Sequence, residues 1–179
     1  MKKIITLSIA LLMTIFAFSQ EKVEKQTTQA EQFSATAGTL IEKQFIDIGK
    51  VKGITVQVMK FKDLNNGTSQ SALRFEYEYK SSYSSDTKVS VLDLDEIDGL
   101  IKSITNLNTT VFSSTRNVYT EVTFISRTGF KAGAYYDVDK AKWVTFVKLE
   151  KFDSNSQVFL TTEDFATLLT LVEQAKTKM

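Results

Sequence analysis

The chain of 179 residues carries 22 basic and 21 acidic side chains and has no histidine, cysteine or proline. That composition excludes Ser-His-Asp and Cys-His catalysis, zinc sites built on Cys and His, and disulfide staples. The near-neutral charge argues against nucleic acid, whose binding needs a basic stripe, and no polybasic segment addresses an anionic membrane.

Lys2 and Lys3 precede Ile4–Phe18, an apolar run broken only by Thr6, Ser8 and Thr14. Ala17-Phe18-Ser19 then places small residues at −3 and −1 of a cut before Gln20. Charge, length and cleavage site predict a signal peptide over residues 1–19 and an exported product, periplasmic or extracellular. The run is short of the roughly 20 apolar residues a spanning helix needs, so no stable membrane insertion is expected after cleavage. No cysteine follows it, which excludes a lipid-anchored N-terminus. Residues 20–37 are rich in Glu, Lys, Gln and Thr, with Val23 and Phe33 their only large apolar residues. They read as a flexible polar leader, with a frayed helix towards its end.

Residues 38–179 read as one domain. Leu40–Ile48 and a segment from Ile54 to about Lys62 have strand character, and Asn65-Asn66-Gly67 is a hairpin signal because Asn and Gly tolerate positive φ. In the third strand Leu73, Phe75, Tyr77 and Tyr79 alternate with Arg74, Glu76, Glu78 and Lys80, a sheet with one wet face. A polar loop over Ser81–Thr87 and a short strand over Lys88–Leu92 lead to a helix. Asp93 and Glu96 stand at capping-box spacing, and Ile97, Leu100, Ile101 and Ile104 form one apolar stripe. The order then recurs: strands over Arg116–Arg127, Phe130–Asp137 and Lys142–Glu150, a short strand over Gln157–Leu160, and a last helix to about Lys176. Thr161 and Asp164 repeat the cap, and Phe165, Leu168, Leu169 and Val172 repeat the stripe, all at a shift of 68 residues.

These patterns predict an α+β fold: a mainly antiparallel sheet built from two meander–helix repeats, about 38–107 and 108–179. The repeats would be related by a pseudo-two-fold axis, with both helices on one sheet face. A closed barrel with a ligand cavity is the alternative. The words Leu92-Asp93-x-Asp95-Glu96-Ile97-Asp98-x-Leu100-Ile101 and Thr120-Glu121-Val122-x-Phe124-x-x-Arg127-x-Gly129-Phe130 resemble a class of small exported bacterial proteins of unassigned activity. That resemblance covers most of the chain after the signal peptide. It implies a shared fold and an exported location, and carries over no catalytic residue.

Candidate sites are few. Asp93, Asp95, Glu96 and Asp98 form an acidic cluster, but the EF-hand pattern fails because Asp98 stands where glycine is needed and Ile104 where the last ligand is needed. These acids suit the positive end of a helix dipole, so no metal is expected. The pairs Glu76/Glu78 and Asp137/Asp139 read as solvated sheet charges rather than a hydrolytic pair. Arg127, before the Thr128-Gly129 turn, offers a fork for a carboxylate or phosphate, or an ordinary turn salt bridge.

The 68-residue shift carries Arg74, Glu76, Glu78 and Lys80 onto Lys142, Val144, Phe146 and Lys148, so a face that is wet in the first half turns apolar in the second. Either part of the chain covers Val144 and Phe146, or they form a lysine-rimmed patch for a partner. Trp143 reads as core. The resulting expectation is a non-enzymatic, cofactor-free binding or interaction module of unknown protein or small-molecule ligand. Val144, Phe146, Tyr135, Tyr136 and Arg127 are its candidate contacts. The alternative function is a small-molecule or lipid carrier lined by Tyr77, Tyr79 and Trp143.

Overall fold

A computed structural model describes residues 26–179; the segment read as a signal peptide and the first residues of the leader lie outside the described residues. The order is α1 (Gln29–Ser34), β1 (Ile41–Val51), β2 (Ile54–Asp63), β3 (Ser69–Lys80), β4 (Ser85–Asp93) and α2 (Leu94–Asn106). There follow β5 (Thr120–Ile125), β6 (Lys131–Asp137), β7 (Lys142–Lys148), β8 (Gln157–Leu160) and α3 (Thr162–Lys176). The strands form two four-stranded antiparallel sheets, each in sequence order. No helix among the described residues is long and apolar enough to cross a membrane.

Local chemistry accounts for most boundaries. Lys52 and Gly53 both hold positive φ, the conformation of a tight two-residue hairpin, so β1 continues past Gly49, through a bulge, to pair Val51 with Ile54. Capping boxes start α2 at Asp93/Glu96 and α3 at Thr161/Asp164. β4 begins at Ser85 rather than Lys88, because the β3–β4 ladder extends to the Lys80–Ser85 pair. β5 is shorter than Arg116–Arg127. Its first part is a loop whose Ser114 carbonyl accepts from Trp143 Nε1 at 2.7 Å, with the Arg116 guanidinium over the indole ring.

Two sheets stand where a common one was expected, and neither closes into a barrel. The exposed side of β4 meets side chains instead of a strand. The Val91 carbonyl accepts from the Thr128 hydroxyl, and the Val89 N–H donates to the Glu150 carboxylate, both at 3.4 Å. A covered edge does not add strands. A single 68-residue shift also does not carry the third strand. β3–β4 pairs Arg74 with Val91, 17 residues apart, while β7–β8 pairs Phe146 with Phe159, 13 apart, so one shift cannot carry both strands of the first hairpin onto the second.

One apolar cluster takes in both sheets and both long helices. Ile97, Leu100 and Ile104 of α2 and Phe165, Leu168, Val172 and Ala175 of α3 pack with Val56, Leu73, Phe75, Ala132, Val147 and Val158. Ile101 and Leu169 flank this cluster, half-buried. Phe75 of β3 stacks on Phe130, just before β6, at 4.7 Å between centroids. On the rim, nearly buried Lys88 of β4 pairs with Asp86 and with Asp153 of the β7–β8 loop.

Two outcomes follow from this shared core. Phe130→Ala should cost about 3–5 kcal/mol in denaturant unfolding, the range for a buried Phe. The whole chain should still melt in one transition, and two separated transitions would show independent halves. The Lys88 ammonium, followed by the Asn155 N–H, holds the Asp153 carboxyl below the usual range, and Asp153, then Asp86, raises Lys88. A depressed acid stabilises above its unfolded pKa of about 4 and loses that contribution as pH falls through the folded value. A raised lysine stabilises below about 10.4 and loses its share only as pH climbs through the raised value. Stability from this pair therefore spans roughly pH 4–10. Lys88→Met should flatten the acid limb between pH 5 and 2, measured by thermal melts.

Candidate functional site

The acidic cluster is an internal joint. Asp93 is 1% exposed, and its carboxylate accepts from the Gln29 N–H at 2.8 Å and the Ala30 N–H at 3.1 Å, the first amides of α1. Arg127 reaches into the same place from the β5–β6 turn. Its guanidinium donates to Asp93 and, at 2.7 Å, to Asp95, while its backbone N–H donates to Glu96 at 2.6 Å. Oxygens of Asp93, Asp95 and Glu96 lie within 4.8 Å of one another, a spacing a cation accepts, and the guanidinium sits among them. Asp95 first, then the field of Glu96, Asp95 and Asp93, raises the Arg127 pKa against a smaller loss from desolvation.

α1 itself lies on the outer face of the first sheet. Ala30 is fully buried against Met59, Phe61 and Ala72, with Phe33, Ile41 and Val91 around them. Thr28 and Glu31 close a capping box at its start, with both bonds at 3.0 Å. Beside α1 the same face carries a polar row and one exposed ring, Phe45, under the Arg74 guanidinium. Asp47, Gln57 and Arg74 lie in one cross-strand row, Gln57 donates to Asp47, and Arg74 donates to Gln57 and Glu76.

The outer face of the second sheet has no such cover among the described residues. Directly opposed residues in a sheet point the same way, so the registers read out its rows. One row is Glu121–Tyr135–Val144. The next is Thr123–Gly133–Phe146–Phe159, and the third is Ile125–Lys131–Lys148–Gln157. Tyr119 stacks on Tyr135 with centroids 5.9 Å apart, and Tyr135 leans over Phe146 at 6.5 Å. Tyr119 is 63% exposed and Phe159 52%, so the ends of this aromatic band stand in water. Phe146 is only 6% exposed although it faces outward, and it lies outside the main core cluster. Gly133 keeps the row low beside it: an added Cβ there would stand 2.8 Å from the Thr123 Cα.

The structure therefore brings Tyr135, Val144 and Phe146 together on one face and sends two candidates elsewhere. Tyr136 points inward, 3% exposed, edge-on to Trp143. Arg127 belongs to the joint around Asp93. Tyr119, Phe159 and Lys131, all absent from the sequence-level reading, complete the face together with Lys148 of the expected rim. The alternation of Gln157-Val158-Phe159-Leu160 carried the Phe159 signal. A separate open cleft of about 620 Å³ lies between α1, the start of β3, the first turn of α2 and the C-terminus, lined by Gln29, Ser69, Gln70, Ser71, Leu94, Asp95, Asp98 and Met179.

No family profile, no curated protein and no solved structure matches the chain.

Asp93→Ala should release α1. Amide exchange at Gln29 and Ala30 should accelerate to open-segment rates, and stability should fall by about 2 kcal/mol, as for hydrogen bonds to a charged group. Unchanged exchange would mean that Ala30 and Phe33 hold α1 without the carboxylate.

Proposed function

We propose that this chain is an exported, non-enzymatic binding module that engages its ligand through the outer face of the second sheet. The observation that carries the reading is an asymmetry of cover. α1 lies on the outer face of the first sheet and leaves one ring there, Phe45, in solvent beside Arg74, while the second sheet carries a stacked band of aromatics that leaves Tyr119 and Phe159 in solvent. Apolar surface left in water is unfavourable, and contiguous patches on soluble domains mark interaction sites. Tyrosine suits such a face, since its ring buries area while its hydroxyl stays hydrated.

A repeated meander–helix unit, with both long helices on the same side, belongs to this proposal. It is supported by the shared strand order, by the two capping boxes, and by pairing registers that bring Gln57 to Gly133, Arg74 to Phe146 and Val91 to Phe159. In those terms the hydrogen-bonded row Asp47–Gln57–Arg74 has become Thr123–Gly133–Phe146: one copy keeps a wet face and the other has an apolar one. Export rests on the residues 1–19 pattern. The non-enzymatic reading rests on the missing His and Cys and on charged clusters that pair internally.

A photo-crosslinking amino acid at Phe159 tests the reading in cells that make the protein. Phe159 should give a discrete adduct in the exported fraction, while Tyr83, fully exposed on the β3–β4 turn, should give only background. Equal background at both positions would sink the proposal, as would retention of the protein in the cytoplasm.

A further inference from the structure

We propose that the face is shaped for a short acidic amphipathic helix of a partner protein, seated on Tyr135 and Val144 much as α1 is seated on Met59 and Ala72. The inference rests on the binding-module reading and names its ligand class. Met59–Ala72 is the cross-strand pair next to Gln57–Arg74, and Tyr135–Val144 is the pair next to Gly133–Phe146. The molecule thus already shows what lies on this position of a sheet: one helical turn and a half, pressing a small and an aromatic residue three apart, Ala30 and Phe33, onto the strands.

The charge of the partner follows from the third row. Lys131 and Lys148 stand directly opposite each other, an arrangement that costs free energy through like-charge repulsion. Among the described residues neither ammonium has a carboxylate within 4.0 Å, and nearby Asp153 is committed to Lys88. That pair lies two rows, roughly 13 Å, from Tyr135 and Val144, so the helix must run on past the Phe146–Phe159 row, about nine residues in all. Glu or Asp brought in this way to this end of the band removes the repulsion and gains two charge-assisted contacts.

Other occupants fit less well. A second copy brings its own Lys131 and Lys148, and the acids on this face are Glu121, which already accepts from Thr123 at 2.9 Å, and Asp137, which is paired with Lys140 at 2.9 Å. Two lysines are too few for an anionic membrane, where each adds only about 1 kcal/mol. An added strand would pair at the edge of β5 or β8 and leave the Tyr135–Val144 pair, on inner strands β6 and β7, uncovered.

The test uses the chain from Gln20 and two stapled helical peptides that share the Ala/Phe spacing of α1 and carry either Glu or Lys at their polar positions. In fluorescence anisotropy the acidic peptide should bind at least about ten-fold tighter, with the gap narrowing in high salt. Reversal of both lysines, Lys131→Glu with Lys148→Glu, should invert the preference, with circular dichroism and melting confirming the fold. Val144→Ser should weaken both peptides. Absence of saturable binding at millimolar peptide, equal binding of the two, or a preference that survives the reversal overturns the inference. So does lysine-dependent sedimentation with phosphatidylglycerol vesicles in place of peptide binding, or a dimer in light scattering that the acidic peptide does not dissociate. A Phe159 crosslink alongside any of these results would leave the binding-module reading standing; loss of both would remove both.

Discussion

A carboxylate withdrawn from water must be met by donors, and Asp93 is met from three directions. Two backbone amides come from the leader helix, and a guanidinium comes from a turn in the other half of the chain. Breaking such a group's pairing is costly because the charge stays buried. The residue that ends β4 and starts α2 therefore also decides where the leader lies and how the β5–β6 turn approaches. The joint and the packing of Ala30 together hold the cover on the first sheet.

That cover gives the two outer faces different characters. On the first sheet, α1 removes Met59, Phe61 and Ala72 from water, a row of hydrogen-bonded polar side chains lies beside it, and Phe45 is left half exposed with the Arg74 guanidinium over its ring. On the second, aromatic rings partly shield one another, so Phe146 is buried while Tyr119 and Phe159 are not. Side chains that already pack laterally are held in few rotamers, and a ligand meeting them gives up less entropy than it would to a flexible loop. The face is preorganised by its own stacking.

Features written in neighbouring residues were legible in advance. Asp93/Glu96 and Thr161/Asp164 announced their helices, the stripes over Ile97–Ile104 and Phe165–Val172 announced the core side, and Asn65-Asn66-Gly67 announced a turn. The 68-residue shift, being even, also put Val144 and Phe146 on the outward parity of their strand, although it does not carry the third strand residue for residue. Features set by partners far along the chain were not legible. Nothing near Asp93 says that its carboxylate caps a helix more than sixty residues earlier, and nothing near Arg127 says that its fork is filled from within. Where the first sheet ends at β4, the side chains of Thr128 and Glu150 meet the strand, contacts with no local signature. Tyr135 and Tyr136 are adjacent and aromatic alike; strand parity alone separates the surface one from the core one.

The Phe75–Phe130 stack has a bearing on how the molecule comes into being. A ribosome releases the first ring more than fifty residues before the second. Until then the first sheet has only the stripe of α2 to lie against, and buried Asp93, which fastens the leader, lacks its arginine. A nascent or prematurely terminated chain is thus a sticky, protease-sensitive object, and the shift to a self-contained fold comes late in synthesis.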